Sequence, residues 1–104
     1  MFKILPNPEF EAIVDIPTPG GDSAPLTLIF KHKDREGVAE YFDRIIALEK
    51  LDANALMDIV AGWKNVDGDF NEENLQKVLD NYHGAMKAIF ATYSRELAEG
   101  RRKN

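Results

Sequence analysis

The first regular pattern along the chain has a period of two. In Phe10-Glu-Ala-Ile-Val-Asp-Ile16, the residues Phe10, Ala12, Val14 and Ile16 share one face, with Glu11, Ile13 and Asp15 on the other. Leu26-Thr-Leu-Ile-Phe-Lys-His32 alternates again and groups Leu26, Leu28 and Phe30. Between them, Pro17-Thr-Pro-Gly-Gly-Asp-Ser-Ala-Pro25 carries two glycines and three prolines, a composition that neither continues a strand nor begins a helix. The two runs predict an antiparallel hairpin over about 10–32 with a long, mobile loop. Two strands alone are marginal in water, so they need helices against them or a neighbouring chain's strand along an open edge.

From Asp34 the period lengthens. Asp34 is placed to cap a helix whose apolar stripe is Val38, Tyr41, Phe42, Ile45, Ile46 and Leu48. Asp52 or Asn54 restarts a short helix containing Leu56, Ile59 and Val60, which Gly62 ends, with Trp63 following. Asn71 caps the next helix, with Glu72 and Glu73 near its positive end and Leu75, Val78, Leu79 and Tyr82 facing inward. Gly84 breaks the pattern, and a last helix carries Met86, Ile89, Phe90, Tyr93 and Leu97 before fraying at Gly100. The predicted fold class is α+β, mainly α: an N-terminal antiparallel β-hairpin followed by about four short helices.

Length and composition narrow this picture. A chain of 104 residues with 44% hydrophobic content predicts a single domain over 1–104: a hairpin (about 10–32), a helical part (about 34–100) and a basic C-terminal tail (101–104). The absence of cysteine removes disulfides, thiolate metal sites and cysteine nucleophiles together. Met1-Phe-Lys-Ile-Leu-Pro6 does not read as a signal peptide, because Pro6 and Glu9 cut the apolar run short. No apolar run approaches the roughly 20 residues that cross a bilayer. The expectation is a soluble, cytoplasmic protein. Net charge is -5 and uneven: residues 34–83 hold 12 acids against 5 bases, while 84–104 hold 2 acids against 5 bases. An acidic middle would repel phosphate, which argues against nucleic acid as a partner. Arg101-Arg-Lys103 reads as a solvated tail that complements a helix dipole.

Few stretches invite chemistry. Asp67-Gly-Asp-Phe-Asn-Glu72 looks at first like a calcium loop. Counted from Asp67, however, the sixth position is Glu72 where the EF-hand needs glycine, and the twelfth is Val78 where it needs a bidentate glutamate. The stretch reads instead as a turn at Asp67-Gly68 and a cap at Asn71. His32 and His83 have no ligand spacing with each other. Glu72 and Glu73 point about 100° apart on a helix and do not converge on one substrate atom. Pro19-Gly-Gly-Asp22 matches neither GxxxxGK[ST] nor GxGxxG. No catalytic, cofactor-binding or metal-ligating residue is nominated. What remains is apolar surface. Ile13 and Ile29 lie opposite the Phe10/Val14/Leu28/Phe30 side, and so small a chain has little helix with which to cover both faces. Two outcomes stay open: internal burial, or a face or edge that meets another chain. The candidate partner-binding residues are Ile13, Ile29, Phe30 and Trp63; for Trp63, packing between helices competes with a role as a contact.

These residues resemble a known family, the tail assembly chaperones of long-tailed (lambda-like) bacteriophages and prophages. Gly62-Trp-Lys-Asn-Val-Asp-Gly-Asp-Phe-Asn-Glu-Glu-Asn-Leu75 is similar to the family's tryptophan, hydrophobic-aspartate and Phe-polar-acid-Asn-Leu segment. Leu79-Asp-Asn-Tyr82, Ala85-Met-Lys-Ala-Ile89 and Tyr93 resemble its next helices, and Gly100-Arg-Arg-Lys-Asn104 its basic ending. Where the family usually has proline after Tyr82, this chain has His83-Gly84. The resemblance implies a non-enzymatic binding protein without cofactor. It would keep the apolar face of the tape measure protein soluble, help recruit major tail tube protein subunits, and leave before the virion is finished. It also implies self-association, and a longer product made by ribosomal frameshifting, for which Lys103-Asn104 is compatible with a slippery codon pair. The alternatives are a small bacterial adaptor or regulatory domain with the same punctuation by chance, and an enzyme subunit.

Overall fold

The computed structural model describes residues 1–99; the helix stop expected at Gly100, the basic tail 101–104 and the codon pair inferred at Lys103-Asn104 lie outside the described residues. In chain order come strands β1 (Glu9–Pro17) and β2 (Ser23–Lys31), helices α1 (Arg35–Ile46) and α2 (Ala53–Leu56), strand β3 (Val60–Lys64), and helices α3 (Glu72–Asn81) and α4 (Ala85–Glu99). The sheet order is β1-β2-β3, antiparallel throughout. The hairpin and the four helices match the expected α+β class. The third strand is additional, and it makes β2 the central strand.

The hairpin is tighter than its composition suggests. Its strands pair from Glu9↔Lys31 to Pro17↔Ser23, so that only residues 18–22 connect them. That turn is tied internally: the Thr18 N–H and Oγ1 both donate to the Asp22 carbonyl at 2.8 Å, and the Gly21 N–H donates to the Thr18 carbonyl at 3.2 Å. Gly20 and Gly21 take φ of 100° and 101°, a region that residues with a Cβ avoid. Pro25 lies inside β2, contrary to expectation. It is tolerated because β3 pairs with β2 only over Thr27–Phe30, so no ladder partner on that side asks for the missing N–H.

Residues 59–63 are the main departure from the expected helix. Asp52 does cap α2, accepting from the Asn54 N–H at 3.1 Å, but the helix closes after Leu56. The Lys31 N–H then donates to the Ile59 carbonyl at 2.7 Å and draws the chain alongside β2. Phe30 pairs with Val60 and Ile29 with Gly62, which leaves Ala61 as the extra residue of a β-bulge. The bulge resets the alternation, so Val60 and Trp63 both turn to the core side although they are three residues apart.

The core lies between the sheet and the helices. Ala12, Val14, Ile16, Leu28, Phe30 and Val60 form its floor; Tyr41, Ile45, Leu56, Leu75, Ala85, Ile89 and Tyr93 close it from above. The caps expected at Asp34 and Asn71 are present, with side-chain oxygens accepting from the Gly37 and Asn74 N–H groups at 2.8 and 2.7 Å. The stripe expected on α1 is only partly buried: Tyr41 and Ile45 face the core, but Ile46 is 81% exposed and Leu48 lies beyond the helix end. Gly84 packs close against the hairpin's end: a Cβ there would stand 3.0 Å from Pro17 Cγ, tighter than an ordinary contact. Arg44 hydrogen-bonds Asp58, which lowers the Asp58 carboxyl from its usual pKa; both groups are about half exposed, so the pair orients α1 more than it stabilises it.

Two buried tyrosines give the fold a pH signature. Tyr93 donates to the Lys31 carbonyl at 2.8 Å and Tyr41 to the Ala55 carbonyl at 2.6 Å. Burial pushes the Tyr93 phenol up to about 12, and Tyr41 higher still. An unfolded tyrosine ionises near pH 10. Above that pH the unfolded chain releases these protons while the folded chain holds them, so stability is complete below about pH 10 and falls as pH rises towards 12. Urea unfolding at stepped alkaline pH is expected to show this fall, and Tyr93→Phe is expected to reduce it to the share that Tyr41 still contributes. A midpoint constant from pH 9 to 12 would contradict the burial of these phenols.

Candidate partner-binding surface

Directly opposed residues of an antiparallel pair share a face, so the register defines the outer surface of the sheet. Ile13 lies opposite Thr27, Glu11 opposite Ile29, and these continue to Lys64 and Gly62 on β3. The core helices all pack on the other face. Ile13 is 47% exposed and Ile29 is half-buried. Gly62 supplies no side chain; a Cβ there would sit 3.5 Å from Ile29 Cδ1, so the isoleucine lies across bare backbone. Lys64 Nζ reaches Glu11 Oε2 at 3.0 Å across the intervening β2. The result is a shallow face with two apolar side chains, Ile13 and Ile29, on adjacent strands and in successive cross-strand rows, with the Glu11–Lys64 pair crossing between them and Asp15 beyond Ile13. β1 and β3 are both edges of this sheet.

The four residues nominated from the sequence therefore part company. Ile13 and Ile29 both lie on the open face, on adjacent strands. Phe30 is 0% exposed on the opposite face, stacked on Phe10 and tilted against Tyr93, and a partner could reach it only by opening the core. Trp63 is half-buried at the side of the core. Its indole N–H donates to the Gly68 carbonyl at 2.9 Å and its ring meets Phe70 edge-on at 5.2 Å. It clamps the segment that resembled a calcium loop. In that segment the Asn74 side-chain amide donates to the Asp69 carbonyl at 2.8 Å, the Asn71 carboxamide caps α3, and Asn65 takes a left-handed φ of 58°. No group of three or more His, Cys, Asp or Glu side chains gathers at metal-binding distance among the described residues.

Two further apolar surfaces lie outside the residues nominated from the sequence. Met1, Phe2, Ile4 and Leu5 are each more than 80% exposed, on an N-terminal arm that precedes β1. A shallow, open groove of about 560 Å³ lies along α4, lined by Leu51, Met86, Phe90 and Ala91 together with the polar His83, Lys87 and Ser94. The arm's apolar run is visible in the sequence, but there it raises only the question of a signal peptide. The groove is a tertiary feature, because Leu51 and α4 are joined only by packing.

Compared with known families, residues 1–104 match the model of a phage tail assembly chaperone family. The chain belongs to this family. No curated protein and no solved structure gave a match. No helix of the chaperone is long and apolar enough to cross a membrane among the described residues.

Proposed function

We propose that this chaperone binds the tape measure protein, the long and largely helical ruler of the phage tail, and keeps it soluble until tail tube subunits assemble around it. The observation that carries this reading, beyond family membership, is the uncovered sheet face with Ile13 and Ile29 at its centre. A long amphipathic helix exposes a continuous apolar stripe that aggregates unless covered. A strip two side chains wide offers a modest contact area. Many copies along one polymer then hold it by avidity, yet each copy leaves singly as the tube advances. The same reading places the chaperone in the host cytoplasm, without catalytic chemistry, recruiting the major tail tube protein and absent from the finished virion. Self-association of copies on the ruler, through the edges of β1 and β3, and a frameshifted longer product belong to it as well.

Co-expression tests the reading. Fragments of the tape measure protein from the same tail gene cluster are expected to move from the insoluble to the soluble fraction when this chain is present, and to co-purify with it. Unchanged solubility across fragments that tile the whole ruler, with no complex recovered, would defeat it.

A further inference from the structure

We propose that the free edge of β1 takes up an extended segment of another polypeptide as a fourth strand, and that this segment carries lysine or arginine at alternate positions. The hydrogen bonds of the hairpin fix which backbone groups are on offer. In an antiparallel pair, residues bonded to the partner strand alternate with residues whose N–H and C=O point away from it. At one end of the hairpin the His32 N–H donates to the Pro8 carbonyl, and at the other the Thr18 N–H donates to the Asp22 carbonyl, both at 2.8 Å. The bonded pairs between them are therefore Phe10–Phe30, Ala12–Leu28, Val14–Leu26 and Ile16–Ala24. Lys31, opposite Glu9, shows the same alternation: its N–H goes to the Ile59 carbonyl and its carbonyl accepts from the Tyr93 hydroxyl, neither to β1. Glu9, Glu11, Ile13 and Asp15 thus turn their N–H and C=O groups outward. Among the described residues no hydrogen bond reaches these groups, and β1 is an end strand of the sheet.

The edge is also unguarded. Sheet edges are ordinarily blunted by short length, a bulge or an internal proline. β1 runs for 9 residues in unbroken register, and its proline, Pro17, stands at the very end. A helix satisfies its own backbone groups internally, so an extended segment is what answers a row of unpaired N–H and C=O groups.

Charge selects which extended segment. The residues that offer the backbone groups also place their side chains on the outer face: Glu9, Glu11, Ile13 and Asp15 are all exposed, and all but Ile13 are acids. A strand laid alongside sets its own outer-face residues directly opposite them, where opposite charges attract and like charges repel. A second copy of β1 is a poor occupant. Antiparallel about Ile13, it sets Glu11 against Asp15; about Ala12, it sets Glu9 against Asp15. The β3 of a second copy offers 5 residues and one base, Lys64, which its own Glu11 already holds. The segment that fits, read antiparallel to β1, has a base opposite Asp15, an apolar residue opposite Ile13 and bases opposite Glu11 and Glu9. Apolar residues alternate with these, on the side of Val14, Ala12 and Phe10. The contact is made by backbone at the edge rather than by the side chains of the face, so the proposal does not depend on tape measure binding.

The probe is a synthetic peptide of strand length with that pattern, lysine as the base, isoleucine opposite Ile13 and valine between. The measurement is amide hydrogen exchange of the full-length chain, read residue by residue by NMR. Without peptide, the Glu11, Ile13 and Asp15 amides are expected to exchange rapidly while those of Ala12, Val14 and Ile16 are protected. Saturating peptide is expected to slow the first three by about tenfold or more. The same peptide with glutamate for lysine, or N-methylated at its lysines so that they cannot donate to β1, is expected to leave them unchanged. Glu9→Gln/Asp15→Asn, folded by circular dichroism, is expected to bind the lysine peptide about fivefold more weakly through the loss of two cross-strand ion pairs. Ile29→Thr, on the central strand, is expected to bind it as the unmodified chain does. Outward amides already protected in the free chain would overturn the proposal, showing the edge covered by the chain itself or by a second copy. So would a lysine peptide that fails to bind, one that binds without slowing these amides, or an acidic peptide that binds equally well. None of these outcomes touches the co-expression test above, which reads a different partner.

Discussion

Phe30→Ala is expected to destabilise the chaperone by about 3–5 kcal/mol, the range for truncating a buried phenylalanine. Phe30 sits on the central strand, is 0% exposed, and packs in a three-ring cluster, stacked on Phe10 at 5.6 Å and tilted against Tyr93 at 5.1 Å. The cavity cannot close easily. Tyr93 is held by its hydroxyl at the Lys31 carbonyl, and Val60, opposite Phe30, is fixed by the bulge. A domain of this size has only about 5–15 kcal/mol in total, so the variant would stand near the edge of folding. Urea unfolding followed by the fluorescence of Trp63 measures the loss. Ile13→Ala, on the open face, is the control and is expected within about 1 kcal/mol of the unmodified chain. Equal losses at the two positions would mean that the sheet is covered on both faces or on neither.

Ile13→Lys combined with Ile29→Thr is expected to abolish solubilisation of the tape measure protein while leaving the fold intact. Lysine at position 13 would stand between Glu11 and Asp15, where its charge is welcome, and threonine keeps the branched Cβ that strands favour. Both changes strip apolar area from the outer face alone. Each isoleucine is worth about 1.5–3 kcal/mol when fully covered, and every 1.4 kcal/mol is a factor of ten in affinity. Even a fraction of that energy, removed at every copy, multiplies along the polymer. The measurement is the soluble fraction of a co-expressed tape measure fragment, alongside the unfolding midpoint of the double variant. A variant that is folded and still solubilises the fragment would move the binding surface elsewhere, to the arm or the α4 groove.

These two predictions concern opposite faces of one sheet, and the alternation along β1 is enough to tell them apart. A residue's neighbours two positions away decide which side it takes, so Ala12, Val14 and Ile16 separate from Glu11, Ile13 and Asp15 without a structure. The caps at Asp34, Asp52 and Asn71 are equally legible, because each is a bond to an N–H two or three residues along. The family is legible from the stretch around Trp63 to Leu75, whose residues do local work that the fold explains: an indole held by Gly68, an edge-on Phe70 and an Asn71 cap.

What only the tertiary structure decided has one physical root, that the deciding partner is distant in sequence. Leu56, Ile59, Val60 and Trp63 are spaced as a helix spaces its apolar face, and nothing local contradicts that reading. Strand β3 forms because β2 offers unpaired N–H and C=O groups there, and a bulge at Ala61 then reproduces a helical spacing within a strand. Phe30 and Ile29 are neighbours in sequence with opposite fates, core and open face, once helices cover one side of the sheet alone. The groove beside α4 exists only because Leu51 and Phe90 come together by packing. Local hydrogen bonds and side-chain alternation thus set the elements of this chaperone, while the free energy of pairing and burial between remote segments chose which of its apolar residues remain at the surface.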